Sequence, residues 1–183
     1  TSITLTETQL NTVAGTAGAN LDDAFAADSI TINAVTDSSD AETTVLANGD
    51  KIADGGITSI TLTDAELEQF IATAGYGANP FAAGSITLGA VTGNQATVVT
   101  HLAKVVNDGV SAITLASDDV FTTAVTNNAA ALAAGSVSLT NKVVADAADI
   151  TAVVNNHTKL ADGQVTSITL TETQLNTVAG TAG

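Results

Sequence analysis

Apolar and polar residues alternate in Ser2-Ile3-Thr4-Leu5-Thr6, with Ile3 and Leu5 on one side and Ser2, Thr4 and Thr6 on the other. That two-residue period predicts a half-buried strand. The pattern then changes to helical spacing. Thr6-Glu7-Thr8-Gln9 and Thr63-Asp64-Ala65-Glu66 read as capping boxes, in which the Thr oxygen takes a free N–H and the Gln or Glu reaches back. Leu67, Phe70 and Ile71 follow at the spacing of one helix face.

The strand pattern recurs. Ser-Ile-Thr-Leu-like runs begin at Ser2, Ser29, Ser59, Ser85, Ala112, Ser136 and Ser167, at spacings of 27, 30, 26, 27, 24 and 31 residues. Short and long coils alternate, so a pair of coils is the unit. A longer repeat encloses them: Thr1–Gly18 and Thr166–Gly183 are the same eighteen letters, TSITLTETQLNTVAGTAG, offset by 165. A period of this size is the signature of a repeat architecture.

Further columns line up when counted back from the strand that follows. In the long coils Lys51, Lys104 and Lys159 stand at minus eight, Ile52, Val105 and Leu160 at minus seven, and Ile57, Val110 and Val165 at minus two. In the short coils Phe25, Phe81 and Leu132 stand at minus four. Leu10, Leu67 and Val120 stand eight residues after their strand starts. The long coils read as helices that end at Asp54-Gly55, Asp108-Gly109 and Asp162-Gly163, which are turn signals. Strand, helical return and next strand in about 27 residues make a βα coil, because parallel strands need a crossover. The expectation for residues 1–183 is therefore one α/β repeat domain: a right-handed, two-layer βα solenoid with a single parallel sheet of about seven strands faced by helices.

Composition narrows the function. Nineteen acidic residues against four lysines, with a net charge of −15, exclude the basic footprint of a nucleic-acid binder and disfavour an anionic membrane surface. No apolar run approaches the ~18 residues of a membrane span. With no cysteine there is neither a disulfide nor a thiolate metal site. At 45% apolar residues the chain is not a disordered one.

Candidate chemistry is sparse. His101 and His157 lie in helical parts of long coils, one position out of register, and read as interhelical or solvent-facing. The three register lysines sit near helix ends, where they complement the dipole and stay solvated. No nucleophile elbow, Walker loop or dinucleotide fingerprint occurs, so no catalytic, cofactor-binding or metal-ligating residue is assigned and the chain reads as no enzyme. Asp22-Asp23, Asp37 to Asp40, Asp118-Asp119 and the Asp-Gly turns supply oxygen ligands compatible with weak calcium binding, but the EF-hand and calcium nonapeptide patterns are absent. The polar strand positions Thr4, Thr6, Thr31, Thr61, Thr63, Thr87, Thr114, Ser138 and Thr140 form a hydroxyl column, broken at Asn33, Gly89 and Ala116. Such a column resembles the ice-binding face of some antifreeze proteins.

SITLTETQLNTVAG, SITLTDAELEQFIATAG and KLADGQVTSITL together resemble the repeat regions of large secreted bacterial surface proteins, the giant adhesins, S-layer proteins and extracellular matrix fibres. The resemblance covers the whole chain and implies an extracellular or cell-surface place and a structural or adhesive role. The expectation is a segment of a fibre, stalk or surface layer, self-associating head to tail. The alternatives are an adhesin module, calcium-dependent or gripping a surface or glycan, and an ice-binding sheet face. Neither end carries an obvious polar capping repeat, and open strand edges invite further pairing.

Overall fold

A computed structural model describes residues 2–15, 21, 25–36, 44–73, 80–141, 143–144 and 147–180. The chain divides into two compact units, one of residues 1–88 with 103–106 and one of residues 89–102 with 107–183.

In the first unit, β1 (Ile3–Leu5), β2 (Ile30–Ile32) and β3 (Ile52–Ile57) form a three-stranded parallel sheet in that order. The strands β4 (Ile60–Thr61) and β5 (Ile86–Thr87) form a separate parallel pair. Helices α1 (Glu7–Ala14) and α2 (Asp64–Ala72) follow β1 and β4. Both open with the capping boxes read from sequence: Gln9 N–H donates to Thr6 Oγ1 and Glu66 N–H to Thr63 Oγ1, each at 3.2 Å, while the Gln9 and Glu66 side chains accept from the cap N–H groups. The core of this unit includes Leu10, Ile30, Ile32, Ile52, Ile57, Ile60, Leu67, Phe70, Phe81 and Ile86. Each fully buried side chain of this size contributes roughly 1.5–3 kcal/mol. Phe70 and Phe81 meet edge to face with centroids 4.9 Å apart.

In the second unit, β6 (Gly89–Ala90), β7 (Val110–Leu115) and β8 (Val137–Leu139) form a three-stranded parallel sheet. The strands β9 (Val143–Val144) and β10 (Val165–Ser167) form a parallel pair. Its helices are α3 (Gln95–His101), α4 (Asp118–Asn128), α5 (Ala147–Asn155) and α6 (Glu172–Gly180). Asparagines tie neighbouring coils: Asn127 Nδ2 donates to Val99 O at 2.7 Å and Asn128 Nδ2 to Leu102 O at 3.1 Å.

The two-layer solenoid with a single sheet of seven strands is not formed. Among the described residues the strands fall into four small parallel sheets of two or three strands. Between the sheets of the first unit, neighbouring coils meet only at single bridges, Val35 with Ile60 and Ile57 with Phe81, so no continuous ladder runs on. Within the pairs that form, the register also slips: Ile30 pairs with Ile52 and Ile32 with Ile57, so two residues of β2 advance against five of β3. Similar slips occur between Gly89 and Ala90 against Val110 and Ala112, and between Val165 and Ser167 against Val143 and Val144. Gly56 sits inside the largest slip, where a Cβ would lie 2.7 Å from Ala53 O and 3.0 Å from Ile30 O.

A second correction concerns the long coils. The stretch read as the end of a helical return, Ile52 to Ile57 with its Asp54-Gly55, is strand β3. Its equivalents also bridge. Ile30 pairs with Ile52, Ile86 with Val105 and Val137 with Leu160, while Ile57 pairs with Phe81 and Val110 with Leu132. Ile52, Val105 and Leu160 at minus seven, Phe81 and Leu132 at minus four, and Ile57, Val110 and Val165 at minus two are thus pairing positions. The column of Leu10, Leu67 and Val120 is offset at its third member: Val120 is half-buried and its neighbour Phe121 is buried instead.

Candidate functional site

The lysine column is structural in two of its three members. Lys104 and Lys159 each close a 3₁₀ turn, Leu102–Lys104 and His157–Lys159. The Lys104 ammonium donates to Phe81 O at 2.6 Å, and the Lys159 ammonium donates to Leu132 O and lies 3.6 Å from Asp108 Oδ1. Lys51 pairs with its neighbour Asp50 at 3.4 Å. All three are half-buried, not fully solvated.

His101 and His157 are held locally. Nδ1 of each faces a carbonyl of its own coil, Thr97 O at 2.8 Å and Val154 O at 2.9 Å, so that nitrogen carries the proton and donates. Asp118 and Asp119 occupy the first turn of α4, where carboxylates favour the helix N-terminus. Asp22, Asp23, Asp37 and Asp40 lie outside the described residues. Among the described residues no three His, Asp or Glu side chains gather closely enough to hold a metal ion.

The hydroxyl column resolves into rungs. Thr4 pairs across the ladder with Thr31, Thr61 with Thr87, and Thr114 with Ser138. Each rung places two hydroxyls side by side on the polar face of a sheet. Because the sheets are separate, the rungs do not join into one lattice. Where strand gives way to helix, a hollow of about 330 Å³ is lined by Thr4, Thr6, Glu7, Asn33 and Thr36, among others. Its equivalent in the other unit, about 410 Å³, includes Thr114, Ala116, Val120 and Thr140.

The feature with most consequence is the duplicated segment. Both copies form a helix opened by its own capping box, but Ile3–Leu5 is a strand where its counterpart Ile168–Leu170 is not; in the second copy the Thr171 N–H donates to Gln174 Oε1 at 2.9 Å, and Gln174 N–H donates to Thr171 Oγ1 at 3.3 Å. Their burial is complementary. In the first copy Leu5, Leu10 and Ala14 are buried, Leu10 with 1% exposure, while Ile3 and Val13 are 45% and 46% exposed. In the second copy Leu175, the counterpart of Leu10, is 56% exposed, and Ala179 is exposed too. Ile168 and Val178, the counterparts of Ile3 and Val13, are half-buried beside an apolar hollow of about 140 Å³ that Val153 and Val154 also line.

So the same eighteen residues are covered differently in the two copies: Leu5, Leu10 and Ala14 are buried in the first, while in the second Ile168, Leu170 and Val178 are half-buried and Leu175 is bare. The first copy's strand pairs with β2, and its Glu7 carboxylate accepts from Thr36 N–H at 3.0 Å and from Thr36 Oγ1 at 2.7 Å. The counterpart Glu172 is exposed. Identical letters cannot foretell this difference, which depends on what lies on either side. Only the 165-residue offset hints at it. No protein-family model, curated protein or solved structure matches this chain.

Proposed function

We propose that this chain is a structural segment of an extracellular bacterial repeat protein, one that continues end to end into a fibre, stalk or surface layer. The observation that carries the reading is the return of the same eighteen letters at an offset of 165, on coils whose strands pair in parallel. Leu10 is sealed where Leu175 is bare, and Ile3 and Val13 are bare where Ile168 and Val178 are sheltered. The half-buried lysines that tie coil to coil agree with a role in which shape and repetition matter. Head-to-tail contacts give open filaments where successive rotations do not close into a ring.

The test is molar mass by light scattering across a concentration series. Mass that grows with concentration, without stopping at a dimer, is the expected result. One-chain mass at every concentration would remove the assembly reading. The hydroxyl rungs favour one second reading, adhesion through the polar strand faces. Retention on a glycan or mineral surface, lost when Thr4, Thr31, Thr61 and Thr87 are replaced by Ala, would support it.

A further inference from the structure

From the seats of the lysines we infer that the coils withhold their basic side chains from proteases that recognise lysine or arginine. The inference goes beyond the structural reading above and stands without it.

A serine protease of that class asks three things of its substrate. The basic side chain must enter a specificity pocket, the carbonyl of the same residue must enter the oxyanion hole, and the residues on either side must leave their own structure to lie along the cleft. The chain has no arginine and four lysines, Lys51, Lys104, Lys142 and Lys159. Lys142 lies outside the described residues.

The other three are withheld in more than one way. The Lys104 ammonium donates to Phe81 O and the Lys159 ammonium to Leu132 O, and the side chains of Lys51 and Lys159 are only 19% and 21% exposed. Two of the carbonyls a protease would attack are already engaged: Ser29 N–H donates to Lys51 O at 2.9 Å, and Ser85 N–H donates to Lys104 O at 2.8 Å. The residue after each lysine is buried and pairs with another coil, Ile52 with Ile30, Val105 with Ile86 and Leu160 with Val137. Cleavage at any of the three therefore waits on lifting a paired stretch of coil off the core, an opening far rarer than the fraying of a turn.

The turns of the same coils are built otherwise. Asp28, Ala83, Asp108, Ala134 and Asp162 are exposed there, and none of these places carries a basic residue. Lysine is thus kept to the positions where coils pair, and the accessible turns hold carboxylates and alanines.

The experiment digests the full chain with trypsin, after its native circular dichroism is confirmed, and reads initial rates at each site by mass spectrometry. Synthetic peptides spanning Lys51, Lys104 and Lys159 set the rates for an open substrate. Cleavage after each of the three should be at least about 100-fold slower in the chain than in its peptide, because it follows the population of the opened coil. Ala134→Lys places a basic residue on an exposed turn, and cleavage after position 134 should run at least about tenfold faster than after Lys104 in the same molecule. Smaller protection at any of the three lysines would overturn the inference. So would a variant cut no faster after position 134 than after Lys104, since the shield would then be the stiffness of the whole fold and not the seats of its lysines.

Discussion

The ammonium of Lys104 donates to the main-chain carbonyl of Phe81 at 2.6 Å, 23 residues away in sequence. Phe81 bridges Ile57 through its neighbours: Ile57 N–H donates to Pro80 O and Ala82 N–H donates to Ile57 O. In a parallel bridge of this kind the central residue's own carbonyl points away from the partner strand. Among the described residues the Lys104 ammonium meets it there. Leu132, which bridges Val110, hands its carbonyl to Lys159 in the same manner. A chain of charge −15 thus places two of its four lysines as coil-to-coil donors.

Replacing Lys104 by Met keeps the stem and removes the donor. We expect a loss of about 1–2 kcal/mol in urea unfolding, since a part-buried carbonyl is left without a partner. An effect within about 0.5 kcal/mol would return Lys104 to the class of ordinary surface charges.

The duplicated segment supplies an internal control. Leu10→Ala should destabilise the monomer by about 2–5 kcal/mol, as for a fully buried leucine, and Leu175→Ala by less than about 0.5 kcal/mol. The comparison is made at the lowest workable concentration by thermal or urea melts. Equal losses at the two positions would mean that Leu175 is covered in the free chain.

Gly56→Ala should be among the most damaging single-methyl changes. The new Cβ meets main-chain oxygens at 2.7 and 3.0 Å, which cannot swing aside as a side-chain end can. We expect a loss of more than about 2 kcal/mol, read by chemical denaturation. Gly135→Ala, with φ +65° and open space around it, should cost only about 1 kcal/mol of backbone strain. The reverse order would place the β2–β3 register slip elsewhere.

Phe81→Ala should cost about 3–5 kcal/mol, because it empties a core position and removes the edge-to-face contact with Phe70. A double-mutant cycle with Phe70→Leu should isolate a coupling of roughly 0.5–1.5 kcal/mol. Additive effects would reduce the ring pair to plain area burial.

Salt should promote assembly. Two chains of charge −15 repel across roughly 30 Å at 10 mM salt but only about 8 Å at 150 mM. Light scattering should therefore show a lower onset concentration at the higher ionic strength. Assembly that weakens with added salt would indicate an ionic junction and would sink an apolar one.

Local order was legible along the chain. The Ser-Ile-Thr-Leu runs from Ser2 to Ser136 and the capping boxes at Thr6 and Thr63 each depend on a few adjacent residues, and the structure has them where the pattern put them; at the run from Ser167 the strand lies earlier, at Val165–Ser167. The columns at minus seven, minus four and minus two were legible as columns, but not as strand pairs. Pairing needs the offset between two coils, and Ile52-Ala53-Asp54-Gly55-Gly56-Ile57 admits more than one.

What the sequence determined by itself was thus the repeat, the periodicity within each coil, the cap chemistry, and the charge and composition that narrow the function. These are properties of residues close together on the chain. What only the tertiary structure decided was how far paired strands slip and where coils meet at single bridges alone, so that among the described residues four small sheets stand where one was expected. It also decided which face of a given segment is covered. Leu10 and Leu175 have the same neighbours in sequence for several residues on each side, and one is buried and the other bare. Burial is set by what packs against a side chain from elsewhere, and that is not written in the eighteen residues around it.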